Sequence, residues 1–142
     1  MAEGGESRTQ QLIERYAVLE ELARQMGERI SALEALANNI SAAISALEEL
    51  EKVKETVEIL VPIGGSVYIK AEVGKIEKVL VEVGAEVLIE KSPEEALKYL
   101  NTRRGNILKE IERMQGQLGG VLAELEKLRG ALQALTGRGT RR

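Results

Sequence analysis

Few groups in this chain could do chemistry, and their types exclude most reactions. There is no histidine and no cysteine, so imidazole bases, thiolate nucleophiles, disulfides and the zinc sites those residues build are out of reach. Carboxylates are plentiful, but along the helical stretches they sit at outward positions beside Lys and Arg. That is the pattern of a solvated face. Gly64-Gly65 is not a phosphate loop, because no helix start and no Lys-Ser/Thr pair comes after it. No enzyme, cofactor or metal is expected. Charge excludes more: 20 basic and 23 acidic residues are interspersed, with a net charge of −3. This leaves no basic stripe for nucleic acid, and only the final GRGTRR is basic. The N-terminal MAEGGESRTQ has no apolar signal-peptide region, and no apolar run approaches a membrane span. A cytoplasmic protein without a membrane partner is expected.

With reactions excluded, apolar patterning becomes the informative feature, and it changes character at residue 57. From 57 to 91 strand-forming residues alternate with a period of two. Val57, Ile59, Val61 and Ile63 share a face, as do Val67, Ile69 and Ala71, then Val79, Val81 and Val83, then Val87 and Ile89. Gly64-Gly65 and Gly84-Ala85 stand where tight turns belong. The stretch therefore predicts two β-hairpins. Their opposite faces carry Leu60, Tyr68, Leu80 and Leu88, and four short strands cannot cover two apolar faces and their own edges. These four residues are the expected assembly interface with other chains.

Each flank predicts one long helix. In the first (8–56), Leu12, Leu19, Met26, Leu33, Ile40 and Leu47 alternate with Tyr16, Ala23, Ile30, Ala37 and Ile44 at unbroken 4, 3 spacing, the signature of a coiled-coil seam. In the second (92–136), Leu97, Ile111, Leu118, Leu125 and Leu132, with Arg104 as the polar member, alternate with Leu100, Ile107, Met114, Val121, Leu128 and Leu135. Ser92-Pro93-Glu94-Glu95 opens it with an N-cap, a proline at the first helical position and a capping-box glutamate. Residues 1–7 are expected to be disordered and 137–142 to fray as a basic tail. The seams are nearly equal in length. The α+β fold expected is an antiparallel coiled-coil hairpin, roughly 60 Å long at 1.5 Å per residue, with the two β-hairpins at its closed end.

Three features remain. Gly27, Gly105, Gly116, Gly119, Gly120 and Gly130 lie inside the helices but off the seams; they are either tolerated on an outer face or soften the arm. Arg104 reads as a register-setting seam residue, with Glu48 or Glu51 as partner. Ile13, Leu22, Leu36, Leu50, Leu108 and Leu122 flank the seams. Near the termini, Leu12, Ile13 and Tyr16 face the region of Leu128, Leu132 and Leu135; these six are the expected binding residues, in an apolar groove at the arm tip.

Helix, two hairpins and helix, with ILVPIGGSVYIKAEV and KVLVEVGAEVLIEKSPEEALKYL between and into the seams, resembles the alpha-class subunit of archaeal-type prefoldin. Two hairpins, where beta-class subunits have one, carry the alpha-class assignment. The resemblance implies a hexamer of two alpha-class and four beta-class subunits, whose hairpins form a double β-barrel from which coiled-coil arms hang. It further implies that the arm tips hold unfolded proteins and pass them to a group II chaperonin without ATP. A structural tether or scaffold would share the heptads but would not need two central hairpins.

Overall fold

The computed structural model describes residues 2–140, and side chains over 4–137. The element order is α1 (Ala2–Glu51), β1 (Val57–Gly64), β2 (Val67–Val73), β3 (Val79–Gly84), β4 (Val87–Lys91) and α2 (Pro93–Thr140). This is the expected α+β order. The helices run further than expected at both termini. Of the segment 1–7 expected to lack order, residues from Ala2 on are helical, and α2 continues through Gly137 to Thr140. The physical reason is that neither segment contains a proline, and Glu6 lies near the helix start where the macrodipole favours an acid. Met1, Arg141 and Arg142 lie outside the described residues.

The chain divides into two compact units. The first comprises the α1 residues up to Ala35 and the α2 residues from Leu108. Its buried side chains are Ile30, Ile111, Met114, Leu125 and Leu128, every one a seam position. The two segments run antiparallel: Arg15 bonds to Glu124, while Thr9 and Gln10 share a surface recess with Leu135.

The second unit, Leu36–Ile107, contains the end of α1, both hairpins and the start of α2. Ala37, Ile40 and Ile44 are its buried seam residues. Ala96 is the most buried apolar residue, 2% exposed, although it lies off the seam. It sits in the first turn of α2, and Val79, Val81 and Ala96 line one cleft with Ala43 and Leu47 of α1.

Each hairpin is a separate two-stranded antiparallel sheet, β1 with β2 and β3 with β4. In the first, Val57 pairs with Val73, Ile59 with Ala71 and Val61 with Ile69; Leu60 pairs with Lys70 and Pro62 with Tyr68. In the second, Val81 pairs with Ile89, Leu80 with Glu90 and Glu82 with Leu88. Paired residues share a face, so Leu60 and Tyr68 lie together opposite the valine face, as the alternation predicts. Both hairpins turn the same way. A register shift falls just before each turn glycine, Gly64 and Gly84. The two residues at each tip then have positive φ: Gly65 and Ser66 at 57° and 63°, Ala85 and Glu86 at 48° and 62°. Positive φ at both central positions is the type I′ geometry that matches strand twist.

α2 starts where its signals place it. Ser92 Oγ accepts the Glu95 N–H at 3.2 Å, and the Ser92 carbonyl accepts the Ala96 N–H at 2.9 Å. Glu95 returns to the cap through the Ser92 hydroxyl, which donates to its Oε1 at 3.1 Å. Arg104 does enter the helix pair half-buried, but its partners differ from those expected: it donates to Ser41 Oγ of α1 at 3.1 Å and to Asn101 Oδ1 at 3.0 Å. Register explains the difference. Arg104 lies level with Ser41, and Glu48 is seven residues further along α1, roughly 10 Å at 1.5 Å per residue.

α1 also departs from the expectation about membrane spans. It contains an 18-residue window of mean hydropathy 1.3, long and apolar enough by composition to cross a bilayer. The Ala- and Ile-rich run 30–47 has Glu34 as its one charged residue. Ile30, Ala37, Ile40 and Ile44 are its buried residues, and 28% of the apolar window is buried. The coiled-coil core accounts for that part of the composition.

Candidate functional site

The second unit exposes the strand residues expected to face partners. Leu60 is 63% exposed, Tyr68 59%, Leu80 62% and Leu88 56%. The opposite faces are open too, but only toward the turns. Ile63, Val67, Ile69, Val83, Val87 and Ile89 are exposed, whereas Val57, Ile59, Val61, Ala71, Val79 and Val81 are half-buried. Alternation alone did not reveal this, because it assigns a face and not a depth of cover. Both faces of the turn-proximal half of each hairpin are therefore available to another chain.

Beside β3 lies a cleft of about 380 Å³, floored by Ala43, Leu47, Ala96 and Leu100 and rimmed by Tyr99 and Arg103. Four successive β3 residues, Val79 to Glu82, line it. Successive strand residues point to opposite faces, so the cleft runs along the edge of β3 that β4 does not pair. Small residues at Ala43 and Ala96 leave the space.

The first unit places the six expected client-binding residues unequally. Ile13 and Leu135 are exposed, at 47% and 38%. Leu12, Tyr16 and Leu132 are half-buried, and Leu128 is buried. Heptad geometry accounts for part of this: Leu12, Tyr16, Leu128 and Leu132 are seam positions and Ile13 is not, whereas Leu135, also a seam position, lies close to the end of α2. The exposed apolar surface of this unit instead includes Val18, Leu22, Leu108 and Leu122 with Ile13 and Leu135. Leu22, Leu108 and Leu122 were legible as seam-flanking residues. Val18 was not, because it lies on the outward arc where apolar residues carry no periodic signal.

Charged contacts hold the helix surfaces. Arg15 Nε donates to Glu124 Oε1 at 2.9 Å, and Nη2 donates to the same oxygen, which links α1 to α2. Arg24 bridges Glu21 and Glu28 on α1, and Arg113 grips Glu110 on α2. The hydrogen bond from Arg24 holds the Glu21 carboxyl below its usual range. Arg113 does the same to Glu110, with a smaller pull from the Arg29 charge on α1. These groups are solvent-exposed, so each pair contributes little to stability.

This arrangement has known relatives. The family model for prefoldin subunits matches residues 19–138, which include the first seam from Leu19 on, the whole second seam and both hairpins. The chain belongs to the prefoldin family. Prefoldin subunit alpha of Thermofilum pendens is 32% identical over 109 residues, covering 77% of this chain and 84% of that protein. Human prefoldin subunit 5 is 32% identical over 69 residues, 49% of this chain and 45% of that protein. The fold resembles that of the filamentous prefoldin of Methanocaldococcus jannaschii, solved by cryo-electron microscopy, with a TM-score of 0.68, 24% identity, and coverage of 86% of this chain and 98% of that one. As a prefoldin subunit, the chain presents two helices flanking two small hairpins, a chaperone-family fold.

Proposed function

We propose that this chain is the alpha-class subunit of a prefoldin hexamer with four beta-class subunits, working in the cytoplasm. It assembles through its hairpins, holds unfolded proteins at the terminal end of its helix pair, and passes them to a group II chaperonin without nucleotide. The observation that carries this reading is the distribution of exposed apolar side chains. One group crowds the two uncovered hairpins, and another lies along the helix pair, with Ile13 and Leu135 toward its terminal end. Leu60, Tyr68, Leu80 and Leu88 make the assembly contacts. Ile13 and Leu135 meet a client first, with Leu12, Tyr16, Leu128 and Leu132 behind them.

Affinity comes from apolar burial. One such side chain contributes about 1.5–3 kcal/mol when fully buried, so a single helix pair binds weakly and several acting on one client supply avidity. The decisive experiment deletes residues 1–16 and 128–142 and assembles the shortened chain with a beta-class partner. Assembly should persist while protection of a denatured protein from aggregation is lost. Full protection by the shortened complex would overturn client capture at the terminal end.

A further inference from the structure

The two flanks of the helix pair in the first unit differ in chemistry. One flank holds residues that precede seam positions: Arg15 and Arg29 on α1, Glu110 and Glu124 on α2. Arg15 bonds to Glu124, and the Arg29 charge acts on Glu110, so cross-helix pairs close this flank and both glutamates are half-buried. The opposite flank holds residues that follow seam positions: Glu20 and Glu34 after Leu19 and Leu33, Leu108 and Leu122 after Ile107 and Val121. Both of these leucines are 51% exposed. In antiparallel helices, the register set by Arg15 and Glu124 puts Glu20 about level with Leu122 and Glu34 about level with Leu108. Glu112 and Glu126 follow the two leucines one turn later, on the same side of α2. All four of these carboxylates are exposed, and none has a hydrogen bond or ion pair among the described residues. Arg24 beside this flank is held by Glu21 and Glu28, and Arg129 lies two turns beyond Leu122 toward the terminus. The flank therefore presents one arrangement twice, an exposed leucine between two unpaired carboxylates. The copies are two heptads apart, roughly 21 Å at 1.5 Å per residue. Gly27 lies between them on α1 with open space about it, which lets a partner backbone come close.

We propose that this flank docks an amphipathic helix of another protein, one with apolar residues at heptad spacing and Lys or Arg beside them. The repeat selects a helix: both leucines hold the same heptad position, so a helix lying along the pair meets both in register. Charge selects the sign of the partner. Each leucine packs against an apolar side chain while its two glutamates take the neighbouring cations, which fixes register as well as affinity. A second copy docking by the same flank would set the same four carboxylates against their own kind, and like charges oppose that. The site is distinct from the hairpins and from Ile13 and Leu135, so it does not rest on client capture at the terminal end.

The test uses the full chain assembled with its beta-class partner. The probe is a labelled synthetic helix about four heptads long, with leucine at heptad spacing on one face, lysine beside it and alanine elsewhere. Fluorescence anisotropy should show binding that weakens as salt is raised. Glu20→Gln/Glu34→Gln/Glu112→Gln/Glu126→Gln should weaken it at least about tenfold, and so should Leu108→Ser/Leu122→Ser. Glu51→Gln/Glu55→Gln/Glu77→Gln/Glu94→Gln removes the same charge outside the flank and should leave affinity within about twofold. Ile13→Ser/Leu135→Ser at the terminal end should leave it unchanged, and a helix with glutamate in place of lysine should not bind. Three results overturn the proposal: no binding of the basic helix, flank variants that bind it like the natural chain, or equal binding of the same residues in shuffled order. The last would mean capture of an extended chain. Client capture is read separately, from protection of a denatured protein, so its failure leaves the helix titration to decide this site.

Discussion

At the residue scale, Ser92 carries the clearest local role. Its hydroxyl oxygen accepts the Glu95 N–H and its carbonyl takes that of Ala96. Ser92→Ala should cost about 1 kcal/mol, seen as a lower melting temperature of the complex with unchanged client affinity. Ala85 and Glu86 are the opposite case, since side chains occupy a left-handed turn that favours Asn-Gly. Ala85→Asn with Glu86→Gly should stabilise by about 1 kcal/mol, and thermal melting would register a rise; a fall would mean that these side chains make contacts in the assembly. The Glu110–Arg113 pair sets a pH dependence. Its folded carboxyl titrates below the usual range, so its contribution is present above that range and disappears as pH falls through the lowered value. Glu110→Gln should lower the melting temperature slightly at neutral pH and not at all in strong acid.

Among whole elements, the helices show how propensity and packing divide the work. Both remain continuous across their glycines because the seam supplies the stability that propensity withholds. Where space is open, alanine should help: Gly105→Ala and Gly130→Ala should each raise stability by about 0.5–1 kcal/mol, measurable by chemical denaturation. The hairpins behave differently. Turn chemistry defines each one, yet a two-stranded sheet is marginal alone, and these two pair with no further strand among the described residues.

For the molecule as a whole, the open hairpins imply that the folded state is completed by other chains. Leu80 and Leu88 are more than half exposed on neighbouring strands. Leu80→Asp with Leu88→Asp should release subunits, because assembly would bury unpaired carboxylates. Native mass measurement of the complex checks this, and an intact hexamer carrying both changes would remove these residues from the interface.

Much of this was determined locally. The 4, 3 spacing names the residues that are buried, from Ile30 to Leu128, because a helix turns every heptad position the same way whatever the rest of the chain does. The period of two, the turn glycines and the Ser92 cap likewise act over a few residues, so the element order and both hairpins were legible. Tertiary structure alone decided how deep each residue lies and which partner it meets. Ala96 is buried although it lies off the seam, Arg104 meets Ser41 and not Glu48 because of the helix register, and residues of α1, β3 and α2 come together around one cleft. Those outcomes depend on segments far apart in the chain, brought together by packing, and no local pattern encodes such distances. The same limit divided the terminal apolar set: periodicity placed Leu128 and Leu135 alike on the seam, but the pairing of α1 with α2 buries Leu128 and leaves Leu135 exposed.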